Sequence, residues 1–131
     1  MSLESDLRQA VARGEFILHY QDKVLTHSMA ISGAEALLRW QHPSKGILGP
    51  GSFIGLAEET GLIVQIGEWV IRQACEQIMR WLEAGLAAVP VAVNLSAKQF
   101  HATDLLRSIA SVLTETSIDP SCLAFEITES T

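Results

Sequence analysis

The sequence predicts an α/β fold in which helices back a parallel sheet that begins with an antiparallel hairpin. After the hairpin, strand and helix patterns alternate as strand, helix, strand, helix, strand, an order typical of parallel sheets. Only about seven residues separate the first two predicted strands, whereas a parallel crossover needs a dozen or more, so we expect this pair to be antiparallel. The 131 residues, 48% of them hydrophobic, are enough for one domain with a real core.

The first third of the chain predicts a helix, the hairpin and a loop. Apolar residues recur at helical spacing near the start, and Gly14 is expected to end that helix. Strands are predicted from Phe16 to Gln21 and from about Met29 to Leu38. The segment from His42 to Gly51 is dense in turn-forming residues and predicts a loop.

Two consecutive helices are predicted after the loop. Ser52 is expected to cap a short helix that ends at Gly61. A long helix follows and ends near Gly85. Its apolar stripe comprises Ile63, Ile66, Val70, Ala74, Ile78 and Leu82.

The last part of the chain predicts two strands and the helix between them. Pro90 precedes a strand from Val91 to Leu95, a helix covers about Asp104 to Glu115, and Pro120 precedes a strand from Leu123 to Thr128. A sheet that ended on this last strand would leave an apolar edge uncovered, which natural domains avoid. We therefore expect the chain to be part of a larger domain.

Three strands carry a polar residue within an otherwise apolar pattern: Glu35, Asn94 and Glu126. Alternation along a strand puts each of them opposite the bulky apolar side chains. Because sites in α/β sheets lie at the C-terminal ends of the parallel strands, we expect the three to converge. Two carboxylates and an amide oxygen suit Mg²⁺ or Mn²⁺ rather than zinc. Arg39, on the same face as Glu35, is suited to bind a phosphate or carboxylate.

Each of these residues also has a simpler interpretation. A single glutamate in a strand is more often on a solvated edge, and Asn94 is also typical of a helix cap or turn. Glu126 would be ordinary at an exposed position, and Arg39 could form a structural pair with Glu35. The agreement of three strand positions favours a shared site over these alternatives.

Composition and spacing exclude several classes of protein. The net charge of −6 lacks the excess of basic residues typical of proteins that bind a nucleic-acid polymer. No apolar run predicts membrane contact or a signal peptide. Cys75 and Cys122 match neither a disulfide framework nor a zinc spacing, which is typical of reduced core residues of a cytosolic protein. His19, His42 and His101 show no ligand spacing and are expected to be structural or solvent-facing.

Six motifs follow one another along nearly the whole chain. They are His19-Tyr20-Gln21, Gly33 to Trp40, Pro50 with Phe53-Ile54, Leu56 to Gly61, Val93 to Ser96, and Glu126 to Ser130. In this order they closely resemble the N-terminal half of EAL domains, bacterial phosphodiesterases that hydrolyse cyclic di-GMP to linear pGpG. The resemblance implies a TIM-like (β/α)8 barrel with an antiparallel first strand. Residues 1–131 would form the N-terminal portion of a single EAL domain, with the C-terminal half absent.

The resemblance also implies roles for acidic and amide residues. The resemblance implies that the metal ligands are Glu35, Asn94 and Glu126. In the intact domain their site would hold two Mg²⁺ or Mn²⁺ ions. Glu35 and Glu129 are its catalytic residues. Glu129 resembles a carboxylate that steadies an active-site loop and is not a direct ligand.

Substrate contacts follow from the same resemblance. Gln21, Leu37 and Arg39 resemble residues that bind cyclic di-GMP, with Arg39 on a phosphate. Asp22 departs from the family, which commonly has proline after the Tyr-Gln pair.

The family's paired aspartates, catalytic lysine and later glutamate and glutamine would lie beyond Thr131. Because two-metal hydrolysis needs both ions, the resemblance predicts an active intact domain and an inactive isolated chain. The alternative is a degenerate EAL domain that binds cyclic di-GMP as a non-catalytic sensor. A remnant without a function of its own is a third interpretation.

The resemblance further bears on partners and location. Cyclic di-GMP and the remainder of the barrel are the expected partners, and a homodimer or attached sensory or GGDEF domains are left open. A cytoplasmic location is expected, with other regions of the parent protein able to supply a membrane anchor.

Overall fold

The computed structural model describes residues 2–24, 31–86, 89–100 and 105–128. The α-helices in these ranges are α1 (Leu3–Ala10), α2 (Ile54–Thr60), α3 (Leu62–Glu83), α4 (Ala97–Phe100) and α5 (Leu105–Thr116). The strands are β1 (Phe16–Val24), β2 (Ile31–His42), β3 (Gly46–Leu48), β4 (Val91–Ser96) and β5 (Leu123–Thr128). Within the same ranges, no helix has both the length and the apolar content that a membrane span requires.

The strands form one mixed sheet in the order β1-β2-β4-β5. Strand β1 is antiparallel to β2, whereas β2, β4 and β5 run parallel to one another. The predicted α/β class and the antiparallel hairpin are therefore confirmed. Strand β1 continues beyond the predicted Gln21 because Asp22 and Lys23 still pair with β2. The predicted start of β2 at Met29 lies outside the described residues.

The predicted loop from His42 to Gly51 is wrong in part. Strand β2 continues to His42, and β3 pairs antiparallel with its last residues. The cause is a tight turn, in which Nδ1 of His42 accepts hydrogen bonds from the backbone N–H groups of Ser44 and Lys45, both at 3.1 Å. The turn returns the chain at Gly46, so that the next residues pair with β2.

The predicted cap of α2 is also wrong. Ser52 lies in a short 3₁₀ turn, and Phe53 occupies the capping position with no side-chain hydrogen bond. The ring of Phe53 is buried against Phe16 and Trp40, so packing rather than capping sets where α2 begins. Gly61 adopts a left-handed conformation (φ 80°) and ends α2 as predicted, and α3 begins at the next residue.

Helix α3 packs along the sheet and supplies much of the core. Its buried residues are Ile63, Ile66, Gly67, Val70, Ile71, Ala74, Cys75 and Ile78. Leu82 was expected in this stripe but is 45% exposed, because the end of α3 and the residues up to Leu86 are exposed together. Both cysteines are free thiols, and burial raises the pKa of Cys75, as expected for an unreactive core residue.

The last elements match the prediction closely. Strand β5 has the predicted limits, and α5 extends to Thr116, one residue beyond the predicted end. Asp104, the predicted start of α5, lies outside the described residues. Helix α4, directly after β4, was not predicted.

Candidate functional site

Register places the predicted site residues on one face of the sheet. Gln21 pairs with Glu35 across β1 and β2, Glu35 with Ala92 across β2 and β4, and Asn94 with Glu126 across β4 and β5. Directly paired residues point to the same side, and the face repeats every second residue. This polar face therefore carries Gln21, Lys23, Glu35, Leu37, Arg39, Asn94 and Glu126.

The opposite face of the sheet is apolar and packs against the helices. Its β2 residues include Ala34, Ala36 and Trp40, and its β4 residues are Val91, Val93 and Leu95; all are buried. This burial fixes the register, since a shift of one residue would turn the apolar side chains outward. The apolar face therefore determines where the polar residues lie.

Glu35 and Asn94 are in direct contact on the polar face. Nδ2 of Asn94 donates a hydrogen bond of 3.0 Å to Oε1 of Glu35. Because the amide nitrogen makes this bond, the amide oxygen of Asn94 keeps its acceptor capacity for another partner. Glu35 is half-buried on β2, which lies between β1 and β4, so the alternative of a solvated edge does not describe it. Asn94 is exposed.

Glu126 has a cationic neighbour that the sequence reasoning missed. The ammonium of Lys23 on β1 forms an ion pair and hydrogen bond with Oε1 of Glu126. This hydrogen bond raises the pKa of Lys23, and the charges of Glu126 and Glu35 raise it further. Lys23 lies two residues after Gln21 on the same strand, so the sequence could have predicted that it lies on the polar face. It could not have predicted that Glu126 is its partner.

The contact also indicates that the sheet is curved. Strands β2 and β4 lie between β1 and β5, which would put β1 and β5 about 14 Å apart in a flat sheet. Because side chains project out of a sheet rather than along it, the direct contact between Lys23 and Glu126 indicates that the sheet curls around its polar face. That curvature has the sense expected of a barrel wall with the polar face inside.

Arg39 lies on the polar face without pairing with Glu35. Its Nη1 donates 2.8 Å to the carbonyl of Leu38, and the ion pairs among the described residues do not include Arg39 with Glu35. The alternative of a structural pair is thus not seen. The guanidinium retains further donors for an anionic ligand.

The histidines are structural or exposed where they are described. His42 is buried, and its Nε2 lies 2.8 Å from Oδ2 of Asp6, so it ties α1 to β2. His19 is exposed. The remaining predicted residues Glu129 and His101 lie outside the described residues.

The donors of the polar face fit a hard divalent cation by their chemistry. Glu35, Asn94 and Glu126 offer carboxylate and amide oxygens, the ligands that Mg²⁺ and Mn²⁺ prefer. No group of three His, Cys, Asp or Glu side chains in the described ranges could hold a metal ion. The candidate set has only two carboxylates and depends on the amide of Asn94.

A buried hydrogen-bond network supports the end of β4. Oε1 of Gln99 accepts from the backbone N–H of Ser96 (2.9 Å), and Oγ of Ser96 accepts from the N–H of Gln99 (3.2 Å). This is a capping box, and the Ser-x-x-Gln spacing is a sequence signal that could have predicted α4. Nε2 of Gln99 also donates to the carbonyl of Ile63 on α3 (3.2 Å). The network anchors the chain two residues after Asn94.

A cavity of about 470 Å³ lies beside Asn94 and Leu37. Most of its lining is apolar and belongs to the helix side of the sheet, including Leu38, Ile66 and Val70. The cavity therefore lies in the layer between the sheet and α2 and α3, behind the polar face.

Comparison with known proteins gives a consistent result. The sequence model of the EAL domain matches residues 4–131. The chain is 52% identical over 131 residues to the bifunctional diguanylate cyclase/cyclic di-GMP phosphodiesterase MucR of Pseudomonas aeruginosa, covering all of this chain and 19% of MucR. It is 38% identical over 128 residues to the cyclic di-GMP phosphodiesterase PdeR of Escherichia coli, covering 98% of this chain and 19% of PdeR. The chain thus spans about a fifth of the length of these relatives.

The fold comparison agrees. The solved structure of the PaMucR phosphodiesterase in complex with c-di-GMP superposes with a TM-score of 0.93 at 52% identity. The match covers 99% of this chain and 53% of the solved chain.

Proposed function

The chain belongs to the EAL domain family, and we propose that its complete domain is a metal-dependent phosphodiesterase that hydrolyses cyclic di-GMP to linear pGpG. Relatives that carry this activity in their names, MucR and PdeR, support the reaction class. The observation that carries the proposal is the contact of Glu35 with Asn94 on the same face as Glu126, which supplies adjacent oxygen donors. Residues 1–131 would form the N-terminal portion of this single domain.

We assign the polar residues to two tasks. Glu35, Asn94 and Glu126 would hold Mg²⁺ or Mn²⁺, which when bound polarises the phosphate and activates water. Arg39 would bind a phosphate oxygen through its guanidinium, since Arg geometry suits bidentate contact with phosphate. Gln21 lies beside Glu35 in the register and would contact the substrate together with Leu37. Glu129 would steady a loop of the active site.

The proposal extends to partners and location. By family resemblance, the domain would be cytoplasmic and joined to the remainder of its own barrel, whereas attached sensory or GGDEF domains and a homodimer are left open. The remainder of the barrel would supply the ligands of the second metal ion and the residues that position the nucleophile. The 131-residue chain alone should therefore not turn over cyclic di-GMP.

The proposal is tested by the reaction of the complete domain with cyclic di-GMP in Mg²⁺ or Mn²⁺, with pGpG measured by chromatography. The Glu35→Gln variant should lose more than about 100-fold in rate, because even indirect supports of metal ligands cost about 10- to 100-fold. Glu83→Gln, which removes an exposed carboxylate at the end of α3, is the matched control and should leave the rate unchanged. Binding of cyclic di-GMP without cleavage by the wild type would instead identify a sensor.

A further inference from the structure

Lys23 is a charged residue of the polar face that the proposed reaction does not use. Its ammonium contacts Oε1 of Glu126, although β2 and β4 separate the two strands. Among the ion pairs of the described residues, this one reaches a proposed metal ligand. The side chains are 39% and 45% exposed, so an ion from solution can reach both groups.

The contact conflicts with metal binding at Glu126. A carboxylate lone pair that accepts from an ammonium is not available to a metal ion at the same time. A divalent cation on Glu126 would also lie close to the positive charge of Lys23, and like charges at such a range repel. A metal ion on the second oxygen of Glu126 would still lie close to the ammonium, so the repulsion favours departure of Lys23 from Glu126 when a divalent cation binds.

Without a metal, Lys23 lessens a different repulsion. The polar face carries the carboxylates of Glu35 and Glu126, and Asn94 offers Glu35 only a neutral amide donor. Within the described ranges, Lys23 is the cation that pairs with Glu126. Its flexible side chain can swing away from Glu126 without any change in β1.

We propose that Lys23 is an internal counter-cation of the metal site, which pairs with Glu126 while the metal is absent and leaves it when a divalent cation binds. This role rests on the proposed function for the identity of the site. The affinity for the metal ion is then lowered by the free energy needed to displace Lys23 from Glu126. Lys23 acts through Glu126 and is a positioning residue.

The first test measures Mn²⁺ affinity without substrate, from the electron paramagnetic resonance signal of free Mn²⁺, in the complete domain that contains this chain. Lys23→Met should bind Mn²⁺ about two- to fivefold more tightly, the range expected when a partly exposed ion pair no longer competes. Lys45→Met is the matched control, since Lys45 is exposed in the turn between β2 and β3, and its affinity should equal that of the wild type. Equal or weaker binding by Lys23→Met would overturn the proposal.

The second test follows Lys23 directly in the wild type. With lysine side chains labelled with ¹⁵N, the Nζ resonance of Lys23, identified by its loss in Lys23→Met, should move towards that of a solvated lysine as Mg²⁺ is added. A resonance that stays in place at saturating Mg²⁺ would overturn the displacement. If the Lys23 resonance stays in place but the wild type hydrolyses cyclic di-GMP, the role of Lys23 is wrong and the proposed function stands. A wild type that neither binds Mn²⁺ nor hydrolyses cyclic di-GMP would overturn the proposed function and this role together.

Discussion

At the scale of single residues, the two sides of the sheet give polar groups opposite environments. Glu35, Asn94 and Glu126 lie where solvent and ions can reach them, and they form hydrogen bonds with one another or with Lys23. Tyr20, one residue before Gln21, points to the helix side and packs edge-on against Trp81, with ring centroids 5.2 Å apart. One step along a strand therefore moves a side chain from the ion-accessible face into the core.

Tyr20 reports on this environment through its ionisation. Burial raises the pKa of Tyr20 to about 12. Between about pH 10 and pH 12 the unfolded chain loses the phenol proton while the folded chain keeps it, so the contribution of Tyr20 to stability falls as the pH rises through this window. Below about pH 10 that contribution is fully present.

The prediction is measured as the difference between the wild type and Tyr20→Phe, and Tyr20 is the only tyrosine in the 131 residues. The ultraviolet absorbance of the phenolate in the folded chain should rise with a midpoint near pH 12, and in urea it should rise near the ordinary value of about 10. Tyr20→Phe provides the blank. A midpoint near 10 in the folded chain would show that Tyr20 is solvated.

At the scale of secondary-structure elements, the strand that carries Asn94 is held by the helix that follows it. Gln99 bonds to the backbone of Ser96 and to α3 through the carbonyl of Ile63. Gly67 on α3 makes room for it, since a Cβ at Gly67 would lie 1.9 Å from Nε2 of Gln99. The small residue on α3 and the buried amide on α4 therefore form one unit that supports the site.

The packing of Gly67 against Gln99 predicts that Gly67→Ala changes stability in opposite directions with and without Gln99. Gly67→Ala should destabilise the domain by about 1–3 kcal/mol, because the added methyl displaces Gln99 from a tightly packed position. In the Gln99→Ala background the same change should stabilise by up to about 1 kcal/mol, since alanine is the better helix former and the obstruction is gone. Urea unfolding of the four proteins measures both effects. Additive changes would mean that Gly67 and Gln99 are not coupled.

The elements also show what sequence patterns can and cannot predict. Strand β5 and the long helix α3 have strong periodicity and clear stop signals, so their limits were predicted closely. Strand β3 depends on the turn that His42 closes, and a three-residue strand has no periodicity to detect. The start of α2 was missed because the burial of Phe53 outweighs the capping preference of Ser52.

At the scale of the whole molecule, curvature brings distant strands together. Alternation along each strand, with the rule that sites lie at the C-terminal ends of parallel strands, was enough to predict that Glu35, Asn94 and Glu126 share one face, because alternation is a local property of the chain. The contact between Lys23 and Glu126 was not predictable, because it depends on how far the sheet curls between β1 and β5. The same curl brings the polar residues towards a common centre, which is the geometric basis of the proposed site.

The central claim is that Glu35, Asn94 and Glu126 bind one divalent cation together. Its most direct measurement is anomalous X-ray diffraction from crystals of the complete domain grown with Mn²⁺. The account predicts an anomalous peak coordinated by a carboxylate oxygen of Glu35, Oδ1 of Asn94 and a carboxylate oxygen of Glu126, with the ammonium of Lys23 moved away from Glu126. A Mn²⁺ peak bound elsewhere, with the contacts of Asn94 and Lys23 unchanged, would contradict it.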